Sequence, residues 1–556
     1  MSAPPDTSGH SYESPAEQAV LTREVVVKPT RLRQRLWSPG TDTRWAIAVF
    51  FLVLGVYLLT MGGHTYSVDG ETYYAGTRAL LNGTTVITPT ADIDAVVILV
   101  EHKNGGLTTA APVGALVLFA PFYVVGRVLS LPFSGTAQEE LLRLLFFSAN
   151  SVFTALTAAL LVPLCRRLGA RVATSVLLAF IFALGTWAWA HAKTDFTEPG
   201  TAMMLTTTML AAVRWWRRPS LSAAALVGFL IGCAALTRSS VLLFIPIFLL
   251  AGLAARPMTS LPVRTKEFLA FCAGGLLPGI AFVLNAYLRF GSPLDNGYPP
   301  LNYATPFYEG VFGQFLSPGK GIFWYAPITI VALFAVRQAY LAQRRYMLTL
   351  GLLLAVHLAV YGRFEIWSGE NAYGPRYMVP MLPLFIAVLA PVIDSGRQWT
   401  RSAMVAGAVG FIVPGLLGSS MYFNAVYFHT QSETTRNLQL DTLEAGQFYT
   451  AINFQPRSSP LMLHVRSLDA LLENSIARIQ GEPGGITDMP VNFEDRIHWY
   501  ARAVELDAWW AWWPAKSGPR EAYFLLLVPF ACLAGGASLA RRNVIQARVA
   551  RTALVV

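Results

Sequence analysis

The chain has 556 residues, 54% hydrophobic and only 13% charged, against roughly a quarter charged in an ordinary soluble domain. A mean hydropathy of +0.46 over that length excludes a water-soluble globule, a disordered chain and a coiled coil, each of which would expose more apolar surface than water tolerates. The net charge of +10 therefore reports membrane topology before it reports nucleic acid. The composition is that of a polytopic membrane protein.

Residues 1–43 are polar and rich in proline and serine, and are expected to form a disordered cytoplasmic tail. Lys28, Arg31, Arg33 and Arg35 close this tail just before the first apolar run, which begins near Trp45. That start is too late for a cleavable signal peptide, so a retained first span is expected. Arg541, Arg542, Arg548 and Arg551 in the tail 541–556 mirror the cluster. Both termini are thus expected in the cytoplasm, which requires an even number of spans. Four cysteines, Cys165, Cys233, Cys272 and Cys532, lie in or beside apolar runs and build no disulfide framework.

Thirteen apolar runs of near-spanning length occur between Trp45 and Ala540, so one of them is expected not to cross. If 106–129 lies along or dips into the outer leaflet, the loops holding Arg166, Arg167 and Arg171, then Arg214, Arg217 and Arg218, then Arg337, Arg344 and Arg345, all fall inside. Pro112 and Pro121 in that run fit an interfacial helix better than an exposed span. The expected architecture is all-α. About twelve transmembrane helices are joined by a re-entrant or interfacial helix in the first outer loop and a small extracytoplasmic helical cap. Residues 44–421 would form the transmembrane module, 422–520 the cap and 521–540 the last span.

Ionisable residues at membrane edges are costly and mark functional sites. On this topology they gather outside. His64 to Tyr74 places Asp69 and Glu71 just beyond the first span, where a carboxylate can act as general base on an acceptor hydroxyl. The turn His191-Ala192-Lys193-Thr194-Asp195-Phe196-Thr197-Glu198-Pro199 crowds four ionisable groups between two apolar runs. Pro199 suits the first turn of the next helix, with Glu198 or Thr197 as its cap. Arg238, Lys320 and Arg376 complete the set, the last in Gly374-Pro375-Arg376-Tyr377. An arginine at the lipid–water boundary offers a planar, always-charged fork to a membrane-anchored phosphate. Trp509, Trp510, Trp512 and Trp513 precede the last span and read as an aromatic belt. No Walker A pattern and no HExxH occurs. No cluster has metal-ligand spacing, and a divalent ion would need Asp69, Glu71, His191, Asp195 and Glu198 to converge in space.

In this order the segments resemble the GT-C superfamily of integral membrane glycosyltransferases, more closely the bacterial relatives of dolichyl-phosphate-mannose–protein mannosyltransferases. The elements are Asp69 and Glu71, the segment Ala111-Pro112-Val113-Gly114 to Pro121, Glu198-Pro199, the Leu-Thr-Arg at Arg238, Ser317-Pro318-Gly319-Lys320-Gly321, and Gly374 to Tyr377. The resemblance implies a sugar donor carried on a polyprenyl phosphate and an active site facing away from the cytoplasm, in the plasma membrane. The acceptor would be an extracytoplasmic glycan, lipid or protein, with no nucleic acid and no cofactor. It also implies a first-loop acid as base. Many members have two adjacent acids, whereas Gly70 separates them here, leaving Asp69 and Glu71 both open as the base, with Asp69 nearer the first span. Arg376, Arg238 and Lys320 would bind the donor phosphate. His191, Lys193, Asp195, Glu198 and Tyr377 would position substrate. A flippase for lipid-linked sugars and a polysaccharide polymerase or ligase are the rival readings.

Overall fold

A computed structural model describes residues 39–87, 98–255, 261–298, 302–394, 412–428, 445–480, 502–517 and 523–552, with Gly410 and Gly485. The tail 1–38 lies outside the described residues, as do parts of the expected cap. In chain order the main elements begin with α1 (Pro39–Thr60), α2 (Val68–Leu81), β1 (Leu99–Glu101) and β2 (Leu107–Thr109). They continue with α3 (Val113–Leu129), α4 (Gly135–Phe147), α5 (Ala149–Arg167), α6 (Val172–Leu184), α7 (Glu198–Arg217), α8 (Leu221–Thr237) and α9 (Ile245–Leu253). The last are α10 (Leu261–Phe290), α11 (Ile328–Ala342), α12 (Arg344–Tyr361) and α13 (Leu527–Thr552).

The all-α expectation needs one amendment. β1 and β2 pair antiparallel, with Leu99 opposite Thr109 and Glu101 opposite Leu107. Between them Gly105 and Gly106 adopt φ +85 and +84, the left-handed backbone that a tight hairpin connection demands and that glycine supplies without strain. Arg289 at the end of α10 pins the hairpin, donating to the Ala111 carbonyl at 2.7 Å and Thr109 Oγ1 at 3.1 Å.

Four helical stretches are long and apolar enough to cross a membrane: Gly40–Thr60, Gly135–Arg167, Leu261–Phe290 and Tyr523–Val549. Shorter apolar helices account for most of the remaining runs. The number of crossings remains the expectation drawn from charge. α3 has 17 residues with Pro121 inside it, about 26 Å of rise against a hydrocarbon core of roughly 30 Å. It buries Leu116, Phe119 and Tyr123 against the protein while Val117, Val124 and Val128 stay exposed. An apolar outward face on a helix carrying an internal proline suits an interfacial position.

α5, α6, α7 and α8 share one apolar core. α8 and α10 approach so closely that a Cβ on Gly228 would overlap the Phe271 carbonyl and one on Gly274 the Ala225 carbonyl. Small residues let helix backbones touch where no hydrophobic effect drives association. The two helices and α9 also line an apolar cavity of about 920 Å³, with Leu242, Leu249, Phe271, Leu276, Phe282 and Tyr287 among its walls.

The tryptophan cluster is not the exposed belt the sequence suggests, for Trp509, Trp512 and Trp513 are buried. The indole N–H groups of Trp509, Trp510 and Trp512 donate to the carbonyls of Leu58, Leu59 and Gly62, each at 2.7 Å. These are the last turn of α1 and the segment after it, whose carbonyls have no partner within the helix.

The topology is open to direct test. Gly169, Ser220 and Ala342 are exposed at one set of helix ends, and Asn104, Ser292 and Arg457 lie in segments expected outside. Single cysteines at 169, 220 and 342 should react with a membrane-impermeant maleimide only after lysis, and those at 104, 292 and 457 in intact cells. Labelling of 220 and 104 from the same side would refute the expected orientation.

Candidate active site

Ser67 caps α2, its Oγ accepting from the Gly70 N–H at 3.3 Å, so Asp69 and Glu71 fall in the first helical turn. Two residues along a helix turn the side chain by about 200°. The two acids therefore face opposite ways, and the structure gives them different partners. Asp69 Oδ2 accepts from Arg376 Nη2 at 2.6 Å. Glu71 pairs with Arg143 and Thr65 Oγ1, and Arg143 also holds Glu139 at 3.0 Å.

Glu198 stands at the centre. Its Oε1 accepts from Arg376 Nε and from Arg238 Nη1, both at 2.8 Å, and its side chain has 0% exposure. Thr197 at the helix cap makes no side-chain capping bond. Glu198 thus serves the two guanidiniums, with the helix N-terminus an added stabilisation. Arg238 ends α8 in an extended conformation, donates to the Tyr361 hydroxyl at 2.7 Å and lies 5.0 Å from the Tyr377 ring centre. Tyr361 and Tyr377 stack at 4.6 Å. The Arg376 guanidinium carbon lies 3.7 Å from the centre of the Phe196 ring. Four segments far apart in sequence thus meet in a group of two cations and two anions, set on apolar and aromatic walls.

Asp195 acts on the loop that carries Asp69. Its carboxylate accepts from the Tyr66 N–H at 2.7 Å, the Ser67 N–H at 2.9 Å and Ser67 Oγ at 2.7 Å. Burial pushes this carboxyl up to about 6, against the pull of its three donors. Gly70 now has a physical reason: a Cβ at that position would overlap Asp195 Oδ2.

Lys193 lies elsewhere. Its Nζ bonds Asp507 Oδ2 at 2.6 Å and the Ser419 carbonyl at 2.7 Å, and Asp507 also takes His64 Nε2 at 2.8 Å and the Tyr66 hydroxyl. Burial alone would raise the Asp507 carboxyl, but Lys193 and His64 hold it well below the usual carboxylate range. His191 Nε2 lies 2.9 Å from the Tyr373 carbonyl, which only accepts and so fixes the proton on that nitrogen. Lys320 is buried and donates to the carbonyls of Glu370 at 2.7 Å and Ala372 at 2.6 Å. Burial, reinforced by Arg376, pushes its ammonium down to about 7.

The structure brings Asp69, Glu198, Arg238, Arg376 and Tyr377 together, with Asp195 and Lys320 behind them. Glu71 and Lys193 belong to neighbouring clusters. Asp507, Arg143, Phe196 and Tyr361 escaped the sequence reading. Asp507 had one available signal, since a lysine in an apolar turn such as Lys193 requires a buried counter-ion. Among the described residues no group of three or more His, Cys, Asp or Glu is placed to hold a metal ion.

No family model and no curated protein matches the chain. Two crystal structures of the Archaeoglobus fulgidus oligosaccharyltransferase are similar to it. One, tethered with an acceptor peptide containing the NVT sequon, has 12% identity and a TM-score of 0.42 over 72% of this chain and 59% of that one. The other, in complex with Zn and sulfate, has 12% identity and a TM-score of 0.41 over 84% and 62%. This chain therefore spans about three fifths of that enzyme's length. At such scores the likeness carries no weight for fold or activity, which rest on the residues themselves.

Gly70→Ala tests the support beneath Asp69. The added methyl must move Asp195 or the start of α2, at a cost of about 1–3 kcal/mol. Thermal unfolding in detergent should show that loss, and Gly70→Ala with Asp195→Ser should recover part of it. An unchanged unfolding temperature in Gly70→Ala would mean that the contact is not tight.

Proposed function

We propose that the chain is a GT-C-type membrane glycosyltransferase that moves a sugar from a polyprenyl-phosphate donor to a hydroxyl on an extracytoplasmic glycan, lipid or protein. The observation that carries this reading is the convergence of Arg238 and Arg376 with Asp69 beside an apolar cavity. Ala235 and Leu242, which line that cavity, flank Arg238 within about a helical turn on either side. A ligand with an isoprenoid tail among α8, α9 and α10 would carry its phosphate at the height of Arg238. One amphiphile matches both halves.

In this reading the acceptor oxygen attacks the anomeric carbon while Asp69 takes its proton. The bond from that carbon to the phosphate oxygen breaks, and the pair leaves with polyprenyl phosphate. Arg376 and Arg238 meet the charge growing on that oxygen, and one preorganised donor of this kind is worth roughly 10²–10³ in rate. Asp69 is preferred to Glu71 as the base because it shares the cluster of the arginines, whereas Glu71 is engaged by Arg143. Lys320 acts through the loop it holds, keeping Arg376 in place. Asp195 sets α2 through Tyr66 and Ser67. No nucleotide and no metal enters these steps.

Arg376 is the residue to test, with a panel of polyprenyl-phosphate sugars and a readout of donor consumption. Arg376→Lys keeps the charge and loses the fork, so it should retain weak donor binding while turnover falls markedly. Arg376→Ala should lose donor binding by about 2–4 kcal/mol. Normal donor affinity in a well-folded Arg376→Ala protein would remove this residue from the site.

A further inference from the structure

Two nitrogens of the guanidinium assigned to the donor phosphate are already engaged. Arg376 gives Nε to Glu198 and Nη2 to Asp69. Asp69 and Glu198 together balance Arg238 and Arg376 before any ligand arrives. A phosphate added to this balanced group of four brings negative charge to two arginines already committed to carboxylates, so its binding strengthens if one resident carboxylate lets go.

The two carboxylates are not equal. Glu198 has 0% exposure and is shared by both arginines. It also sits at the first position of α7, where the helix terminus favours an anion. Releasing it would strand a charge in a dry site, which is expensive. The Asp69 side chain is 21% exposed and lies in the first turn of a helix, where a change of rotamer can turn its carboxylate toward water. Its departure frees Nη2 while Glu198 keeps Arg376 aimed.

We infer that Asp69 holds the donor phosphate's place on Arg376 in the resting protein and that the arriving phosphate displaces it, so that the donor itself arms the base. While it is bound to Arg376, the Asp69 carboxylate has that oxygen committed to the guanidinium hydrogen bond and turned away from an acceptor. Once displaced, Asp69 faces the acceptor hydroxyl with that oxygen free. The inference rests on the phosphate site proposed above, and it adds an order of events: the base becomes competent only after the donor is seated.

Farnesyl phosphate, titrated calorimetrically into the detergent-solubilised full chain at fixed ionic strength, separates the two ideas. Asp69→Asn should bind it about two- to five-fold more tightly than the wild type, the scale expected for removing a partly exposed ion pair, while sugar transfer is lost. Glu71→Gln removes a carboxylate from the same helix but not from Arg376, and should leave the affinity unchanged. Asp69→Ala repeats the comparison should the asparagine variant unfold. Unchanged or weaker binding in both Asp69 variants would overturn the displacement while leaving the phosphate site standing. Equal tightening in Asp69→Asn and Glu71→Gln would also overturn it, because overall charge would then suffice. Wild-type affinity retained in Arg376→Ala, or no binding by the wild type, would instead overturn the phosphate site.

Discussion

A carboxylate with no exposed surface keeps its charge only if cations come to it, and Glu198 brings two. That requirement organises this face of the protein. Arg238 arrives from the end of α8, Arg376 from the loop before the last third of the chain, and both reach the same oxygen, Oε1. In a low-dielectric setting, removing Glu198 would strand two guanidiniums without their shared anion, at a cost of about 3–5 kcal/mol. Two segments 138 residues apart by number, at Arg238 and Arg376, are thereby joined through one side chain. Asp69 joins the same group through the free edge of Arg376.

A second buried network grips the loop between α1 and α2 from behind. Asp507 binds Lys193, His64 and the Tyr66 hydroxyl, and Asp195 binds the Tyr66 and Ser67 backbone N–H groups. Tyr66 is therefore held at both its ring and its backbone, three residues before Asp69. The indoles that follow Asp507 fasten the same region to the end of α1. The catalytic proposal for Asp69 draws on this rigidity, since a base must be positioned to within a fraction of an ångström to be effective.

Much of this was visible in the amino-acid sequence, and the remainder was hidden for physical reasons. Apolar runs and arginine placement announce a membrane protein because the bilayer acts on every residue at once. Asp69, Glu198, Arg238 and Arg376 could be singled out because charges at membrane edges are rare. Spacing also implied that Asp69 and Glu71 face opposite ways, but only once a helix was known to begin at Val68. Asp507 pairs with a residue 314 positions away, and no local pattern encodes such a contact. The strands around Gly105 and Gly106 are three residues each, too short for alternation to register. Lys320 and Arg376 looked alike as boundary cations, yet burial commits Lys320 to carbonyls while Arg376 keeps an edge 15% exposed.

The loop from Gly369 to Tyr377 shows how backbone shape serves that edge. Glu370 is the one non-glycine residue with positive φ among the described residues, at 48°, a conformation that costs energy unless its surroundings impose it. The surroundings are Lys320, bonded to the carbonyls of Glu370 and Ala372. Gly369 lies so near Arg376 that a Cβ there would come within 2.8 Å of the Arg376 Cβ, and one on Gly374 would come within 2.8 Å of the Tyr325 ring. The glycines beside Arg376 therefore make room for the protein's own side chains before they make room for a ligand. A buried lysine whose ammonium is pushed down to about 7 by burial is well suited to this work, because it shapes the loop with hydrogen bonds to carbonyls and leaves contact with an anion to the arginines.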